Sequence, residues 1–347
     1  MMFLICYGTR PELIKLFPII NKLKNRKIPY KTMFTGQHED LIKEFSNLVG
    51  PPDISLQNIM GHGQSINTLT GKILMAVDKE SVDSNFKIVV QGDSQTSFTM
   101  ALYGFNNQND ILHIEAGLRT NNLNSPFPEE ANRVMTSHIS YMHFCPTEQS
   151  VKNLNKEGIH ENVHLVGNTV VDSFNFIIEN SEISKSTESL IENSTDYLLV
   201  TLHRRENRNK NFEKMWSELN QISKTHKIIY IKHPSVTQSE NFLAKNINII
   251  DPVNYQDMLH LVNNSAGIIS DSGGLQEEAV CANKKILICR DTTERPETID
   301  SGFGKLVNTE IQENLDFLFK KNDKSRSNPY GANVSEKIIS VLEKEYL

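Results

Sequence analysis

Cysteine is scarce in this sequence: four residues (Cys6, Cys145, Cys281 and Cys289) in 347, with no CxxC pair among them. That scarcity excludes a disulfide framework and a zinc ribbon, and it fits a reducing compartment. Long apolar runs are missing too, and nothing approaches the roughly 18–20 apolar residues of a membrane span. The opening stretch Met1–Tyr7 is apolar but stops at Gly8 and has no basic flank, unlike a secretion signal. A cytoplasmic protein is the expectation. Neither sign of charge dominates: 36 Lys and Arg against 42 Asp and Glu give −6. Such a balance exerts no general pull on nucleic acid or on an anionic membrane. Any phosphate site must be a local cluster. The GxGxxG fingerprint of dinucleotide binding is absent, as is any clustered metal-ligand spacing, so no metal, nicotinamide or other cofactor is expected.

What is present is a rhythm. Apolar runs at Phe3–Tyr7, Lys87–Val90, Ile111–Ile114 and Met142–Cys145 are each followed by a turn and then, in several cases, a helical pattern. They are apolar throughout rather than alternating, as parallel strands covered on both faces require. The rhythm restarts at Tyr197–Leu202, Ile228–Ile231, Gly267–Ser270 and Ile286–Cys289. The length suits two domains, and the double series predicts an α/β protein of two Rossmann-like doubly wound domains facing a cleft. We expect boundaries at 1–167, 168–330 and 331–347. The last piece has Ile338, Val341, Leu342 and Tyr346 at helical spacing and reads as a helix docking on the first domain. The polar segment Asn180–Thr195 reads as a surface loop or a ragged helix.

Ligands in such folds bind beyond the carboxyl ends of the strands, and several suggestive segments fall there. Gly8-Thr9-Arg10-Pro11-Glu12 opens a helix whose free amides suit a phosphate, with Arg10 and Lys15 to add charge. An ordinary turn before a proline-started helix would look the same. Asp93 and Glu115 each end an apolar run, and Glu129-Glu130 precede Arg133 by one helical turn. One acidic strand end is usually a cap; three converging on one rim suit proton removal from carbon and support of a cationic sugar ring. His203-Arg204-Arg205 follows a strand in the second half, where surface charge and pyrophosphate binding are both open readings. Asp271-Ser272-Gly273-Gly274-Leu275-Gln276-Glu277-Glu278 is the most specific signal. Its two glycines allow close backbone approach at a helix start fit for a diphosphate. Glu277 and Glu278 point about 100° apart, so only one can meet a ribose. Asp291–Glu297 would lie beside that turn, with Thr292, Thr293 and Arg295 near the nucleotide end.

Taken together, these segments resemble the non-hydrolysing UDP-N-acetylglucosamine 2-epimerases, in that family's order, from Gly8–Glu12 to Asn328–Gly331. Thr35-Gly36-Gln37-His38, Glu115–Thr120, Pro126–Arg133, Gly167-Asn168-Thr169, His203–Asn207, Asp271–Ala279 and Arg290–Glu297 carry the likeness. The resemblance implies a glycosyltransferase-B-like fold and a UDP-sugar substrate. It implies elimination of UDP to a 2-acetamidoglucal followed by re-addition. Asp93, Glu115 and Glu129 match the family's acid/base and electrostatic carboxylates, and His203 matches its histidine; which one removes the proton stays open. Arg10, Lys15, Ser272, Gly273 and Glu278 match positions that hold the UDP part, with Arg133 and Gly274 beside such positions.

The resemblance further implies a homodimer and an activating UDP-N-acetylglucosamine, bound by Gln37, His38, Arg204 and the His233 region. Asp40 stands where the family often has a second glutamine, and an acid there meets a diphosphate unfavourably. The usual His-Gly-Asp-Thr-Thr-Thr reads Gln91-Gly92-Asp93-Ser94-Gln95-Thr96, and the usual Pro-Val-His-Leu-Asn-Pro is shortened around His233. Other readings are the same chemistry on a related UDP-sugar, a hydrolysing epimerase, or a non-catalytic nucleotide-sugar sensor.

Overall fold

The computed structural model describes residues 1–37, 48–61, 63–80, 82–194, 196–203, 210–232, 246–321 and 328–347. The chain divides into two compact units, Met1–Ser173 with Tyr330–Leu347, and Phe174–Pro329.

The first unit is built on seven strands: β1 (Met2–Tyr7), β2 (Tyr30–Phe34), β3 (Ile54–Ser55), β4 (Phe86–Gln91), β5 (Ile111–Ile114), β6 (Met142–Cys145) and β7 (Val163–Leu165). All pair in parallel, in the order β3-β2-β1-β4-β5-β6-β7. The central strands are buried over almost their whole length, which explains their largely apolar sequences; His113 and His143 are buried among them. Helices α1 (Arg10–Asn25), α2 (Ile66–Val77), α3 (Gln95–Asn106), α4 (Glu129–Ile139) and α5 (Glu148–Lys156) alternate with them. One core joins Leu4, Cys6, Ile88 and Val90 of the sheet to Ile73, Val77, Met100 and Ala101 of α2 and α3. The chain order reverses between β1 and β4. In doubly wound sheets that reversal opens a crevice at the strands' carboxyl ends, and ligands bind there.

Helix α6 (Val170–Asn180) carries the chain out of this unit. The second unit contains α7 (Lys185–Asn193), β8 (Leu198–Thr201), α8 (Lys210–Ile222), β9 (Ile228–Ile231) and β10 (Ile247–Ile250). It continues with α9 (Tyr255–Asn264), β11 (Gly267–Ser270), α10 (Gly273–Cys281), β12 (Ile286–Ile288), α11 (Pro296–Asp300), β13 (Gly304–Leu306) and α12 (Asp316–Phe319). Its strands are again parallel, in the order β10-β9-β8-β11-β12-β13, so the reversal falls between β8 and β11. Trp216, the sole tryptophan of the sequence, anchors this core. It stacks on Phe212 and meets Tyr230 edge-on, with centroids 5.9 and 5.1 Å away.

Helix α13 (Val334–Tyr346) belongs to the first unit and buries Ile338, Ile339 and Leu342. The Asp172 carboxylate caps its start, accepting the amides of Val334 (3.1 Å) and Ser335 (2.6 Å). Lys22 of α1 and Arg26, which caps its end, pair with Glu336, and Arg26 also with Glu343. The segment read as loop or ragged helix is helical over Lys185–Asn193. Five strands went unread in the sequence: β2, β3, β7, β10 and β13. All are short, and in β2 and β10 polar residues break the apolar run.

Candidate active site

In the first unit the switch point is formed by the turns after β1 and β4. Gly8 is required there by close approach. A Cβ on it would lie 2.2 Å from Thr96 Oγ1, 2.4 Å from Thr35 Oγ1 and 2.8 Å from Gln37 Oε1. Thr9 then caps α1, with Pro11 in the first turn. Glu12 ties the two turns together. Its buried carboxylate accepts the amides of Gly8 (3.0 Å) and Thr9 (2.7 Å) and the hydroxyls of Thr9 (2.7 Å), Ser94 and Ser97 (3.0 Å). Burial pushes its carboxyl above the ordinary range, against the opposing pull of those donors. Ser94 in turn caps α3 by accepting from Ser97 N, 3.1 Å away.

Three predicted carboxylates stand around this point, each held differently. Glu115 follows β5 at φ +63, a sparsely populated backbone region for a residue with a side chain. Its carboxylate accepts from Lys15 Nζ and Gln91 Nε2, and from Asn168 Nδ2 at 2.9 Å. Asp93 pairs with Arg133, and its backbone carbonyl accepts from Asn132 Nδ2 at 3.0 Å. Arg133 also donates to Glu130 (3.1 Å), whose other oxygen accepts the amides of Thr120 and Asn121. Glu130 therefore braces a loop. Its neighbour Glu129 is only half-buried, yet its Oε2 is enclosed and has no hydrogen-bond partner among the described residues. An enclosed carboxylate oxygen with no donor is costly and marks a place where a ligand's hydroxyl or acidic C–H could go. Arg10, the first residue of α1, is half-buried at the same turn. Gln37 is nearby too, its Oε1 accepting from Thr96 Oγ1 at 2.5 Å.

Beneath them, His113 of β5 is fully buried with Nε2 2.9 Å from the Gly92 carbonyl. Burial holds it neutral, its pKa lowered to about 3.

In the second unit the reversal brings the end of β8 beside the end of β11. Thr201 and Ser270 share a hydrogen bond there (2.9 Å). Asp271, fully buried, accepts the His203 amide at 3.0–3.1 Å and faces His203 Nδ1 at 3.2 Å. A carboxylate on Nδ1 fixes the orientation of the imidazole ring. Ser272, whose amide donates to Ser270 Oγ (3.0 Å), precedes Gly273 and Gly274, which open α10. Gly274 has open space around it, while Glu278 is buried on α10. Glu277 is buried against Arg295, Oε1 to Nε 2.9 Å. His38, Asp40, Arg204 and His233 lie outside the described residues.

The structure thus brings Arg10, Lys15, Gln37, Asp93, Glu115 and Arg133 to one switch point, with Glu129 at the start of the helix that carries Arg133, and His203, Ser272, Gly273, Gly274 and Glu278 to the other. Sequence reasoning did not foresee Asp271 holding His203, nor Gln91 and Asn168 holding Glu115. Asp271 and His203 are 68 positions apart, and only sheet order reveals them as neighbours. Among the described residues no cluster of three or more His, Cys, Asp or Glu is placed to hold a metal ion, and no helix is long and apolar enough to cross a membrane.

Two Rossmann-like units, each built on a parallel sheet with polar residues gathered at its strand-order reversal, define a glycosyltransferase-B-like enzyme. The chain belongs to the UDP-N-acetylglucosamine 2-epimerase family, whose sequence profile matches residues 21–343. It is 36% identical to the UDP-N-acetylglucosamine 2-epimerase of Campylobacter jejuni, over 98% of this chain and 97% of that one. Its fold is similar to that of the UDP-GlcNAc 2-epimerase of Neisseria meningitidis solved bound to UDP-GlcNAc, with TM-score 0.87 and 34% identity over 99% and 100% of the two chains. The Methanocaldococcus jannaschii UDP-GlcNAc 2-epimerase, solved with UDP-GlcNAc and UDP, gives TM-score 0.84 and 35% identity over the same shares.

Proposed function

We propose that this chain interconverts UDP-N-acetylglucosamine and UDP-N-acetylmannosamine by elimination and re-addition of UDP, without a cofactor. The observation that carries the reading is the trio Asp93, Glu115 and Glu129, the first two at one switch point and the third on the helix that carries Arg133. One is fixed by three donors, one by an arginine, and one has an enclosed oxygen with no hydrogen-bond partner among the described residues. The C2 hydrogen of the sugar is a poor acid. The C1–O bond must therefore lengthen first, and carboxylates nearby steady the oxocarbenium character that develops. A carboxylate then takes the C2 proton, the C–H pair becomes the C1–C2 double bond, and the C1–O pair departs with UDP. The return step protonates C2 from the opposite face as a diphosphate oxygen re-forms the bond to C1. Three differently held carboxylates allow one to accept and another to deliver that proton. The amides of Gly273 and Gly274 at the α10 dipole, with the imidazole of His203 held by Asp271, suit the charge left on UDP.

UDP-N-acetylglucosamine is also proposed as an activator, and the chain as a homodimer. The outer face of α3 supports the dimer: Phe98, Leu102 and Phe105 recur at helical spacing and are half-buried or exposed. Exposed Met75 of α2 and Met135 of α4 flank that stripe. Incubation with UDP-N-acetylglucosamine and chromatography of the products tests the reading. UDP-N-acetylmannosamine should form to equilibrium with no stoichiometric free UDP. Turnover only of another UDP-sugar in a parallel panel, or release of free N-acetylmannosamine, would replace it.

A further inference from the structure

The turn after β12 places an anion of the protein's own where the substrate's anion is to bind. Glu294 Oε2 accepts from Arg290 Nη1 at 2.7 Å, and its Oε1 accepts from Arg295 Nη1 at 2.8 Å. The same Oε1 lies 2.9 Å from where a Cβ on Gly273 would stand, and Arg295 Nη1 lies 2.8 Å from it. The carboxylate therefore covers the first residue of α10, and both arginines of the turn are engaged by it. Arg295 is drawn on its other side by Glu277, so two arginines and two glutamates make a locally neutral set.

We propose that Glu294 is an internal counter-anion that competes with the diphosphate of a UDP-sugar for Arg290 and Arg295, and so sets the affinity of the site for UDP. This rests on reading the start of α10 as the diphosphate site. Burial pushes the Glu294 carboxyl up, but Arg295 and Arg290 pull it down further, to about 2, so the competitor is charged at any working pH. Phosphates entering beside Gly273 meet that charge within a few ångströms, where repulsion is least screened. The diphosphate gains the arginines only as they leave the carboxylate. In a reaction that must release UDP from C1 and accept it back, restrained affinity for free UDP keeps the nucleotide from stalling as a tightly held product.

The test is calorimetric titration of the full chain and its Glu294→Gln and Glu294→Asp variants with UDP, uridine and inorganic pyrophosphate. Gln keeps the shape and removes the charge. Glu294→Gln should bind UDP and pyrophosphate about two- to tenfold more tightly, with uridine unchanged and Glu294→Asp close to the parent. UDP binding that is unchanged or weaker, with uridine unaltered, would overturn the proposal, because Glu294 would then be orienting the arginines for the ligand. A parallel loss of uridine binding would overturn it as well, making Glu294 a structural prop of the turn. If the parent chain binds no UDP yet Glu294→Gln gains pyrophosphate binding, the counter-anion stands and the nucleotide reading falls. If neither protein binds either probe, both fall.

Discussion

Glu115 concentrates the residue-scale chemistry of the first unit: a carboxylate in a left-handed backbone position, gripped by Lys15, Gln91 and Asn168. Asp93 is paired with Arg133 instead, and Glu129 has an enclosed oxygen with no hydrogen-bond partner among the described residues. We expect Asp93→Asn, Glu115→Gln and Glu129→Gln each to fold, because each replaces one oxygen at a strand end or helix start. Each should lose at least ~10²-fold in turnover, read as kcat in a steady-state assay. Near-parental rates in two of the three would make these carboxylates caps and braces, as Glu130 is. A second expectation concerns His113. Its folded pKa lies below the unfolded value, so the unfolded chain binds the proton first. The stability this group confers is complete above about pH 6.5 and is lost as pH falls from there toward 3. Denaturant titrations across that window should show a slope near 1.4 kcal/mol per pH unit from this group, reduced in His113→Gln. An identical slope in parent and variant would exclude it. Both carboxylates and imidazoles were visible in the sequence as residue types at strand ends. Their partners were not, because a hydrogen bond between positions 24, 53 or 100 apart leaves no local trace.

The elements that position these groups divide by how they are buried. β1, β4, β5, β6, β8 and β11 sit centrally, are mostly apolar with only single polar residues such as His113 and His143 inside the run, and could be read directly. Edge strands β3 and β13 are only two and three residues long, too short to show a period, and in β10 Asn248 breaks a run of isoleucines. Helix α2 was missed for a related reason: its inward Leu69, Ile73 and Val77 are diluted by threonines and an outward Met75. The outer face of α3 yields the prediction at this scale. Introducing Leu102→Glu and Phe105→Glu together should convert a dimer to a monomer by light scattering while leaving the circular dichroism spectrum unchanged. A monomeric parent, or a dimer that survives both charges, would place the self-association surface elsewhere or remove it. Close packing at Gly8 gives another. Gly8→Ala must displace Thr35, Thr96 or Gln37, and turnover should fall at least ~10-fold through misplacement of the switch-point groups. An unaffected Gly8→Ala would show that the turn is slack.

Across the whole molecule, the ordered series of motifs in the sequence corresponds to a single physical fact. Both sheets reverse their strand order once, and Gly8–Glu12, Asp93, His203 and Asp271–Gly274 follow the strands that flank those reversals. What composition and spacing could not supply was which sugar is handled and how activity is regulated. The regulatory expectation turns on Asp40, outside the described residues. With UDP-N-acetylmannosamine alone, progress curves should show a lag that added UDP-N-acetylglucosamine abolishes and Asp40→Gln shortens. Linear progress from the first seconds would remove the activator site from the account. Exhaustive chelation and removal of nicotinamide should leave turnover intact, and activity restored only by a metal or by NAD would contradict the cofactor-free mechanism.

Elimination and re-addition make one firm demand: the C2 proton must leave the sugar and be replaced. Proton NMR of the purified chain with UDP-N-acetylglucosamine in deuterium oxide reads this directly. The account predicts deuterium at C2 of the newly formed UDP-N-acetylmannosamine, then at C2 of the recovered UDP-N-acetylglucosamine, with the C1–O–phosphate linkage of both epimers intact and no build-up of free UDP. Epimerisation with the C2 proton retained, or free N-acetylmannosamine appearing in step with UDP, would contradict it.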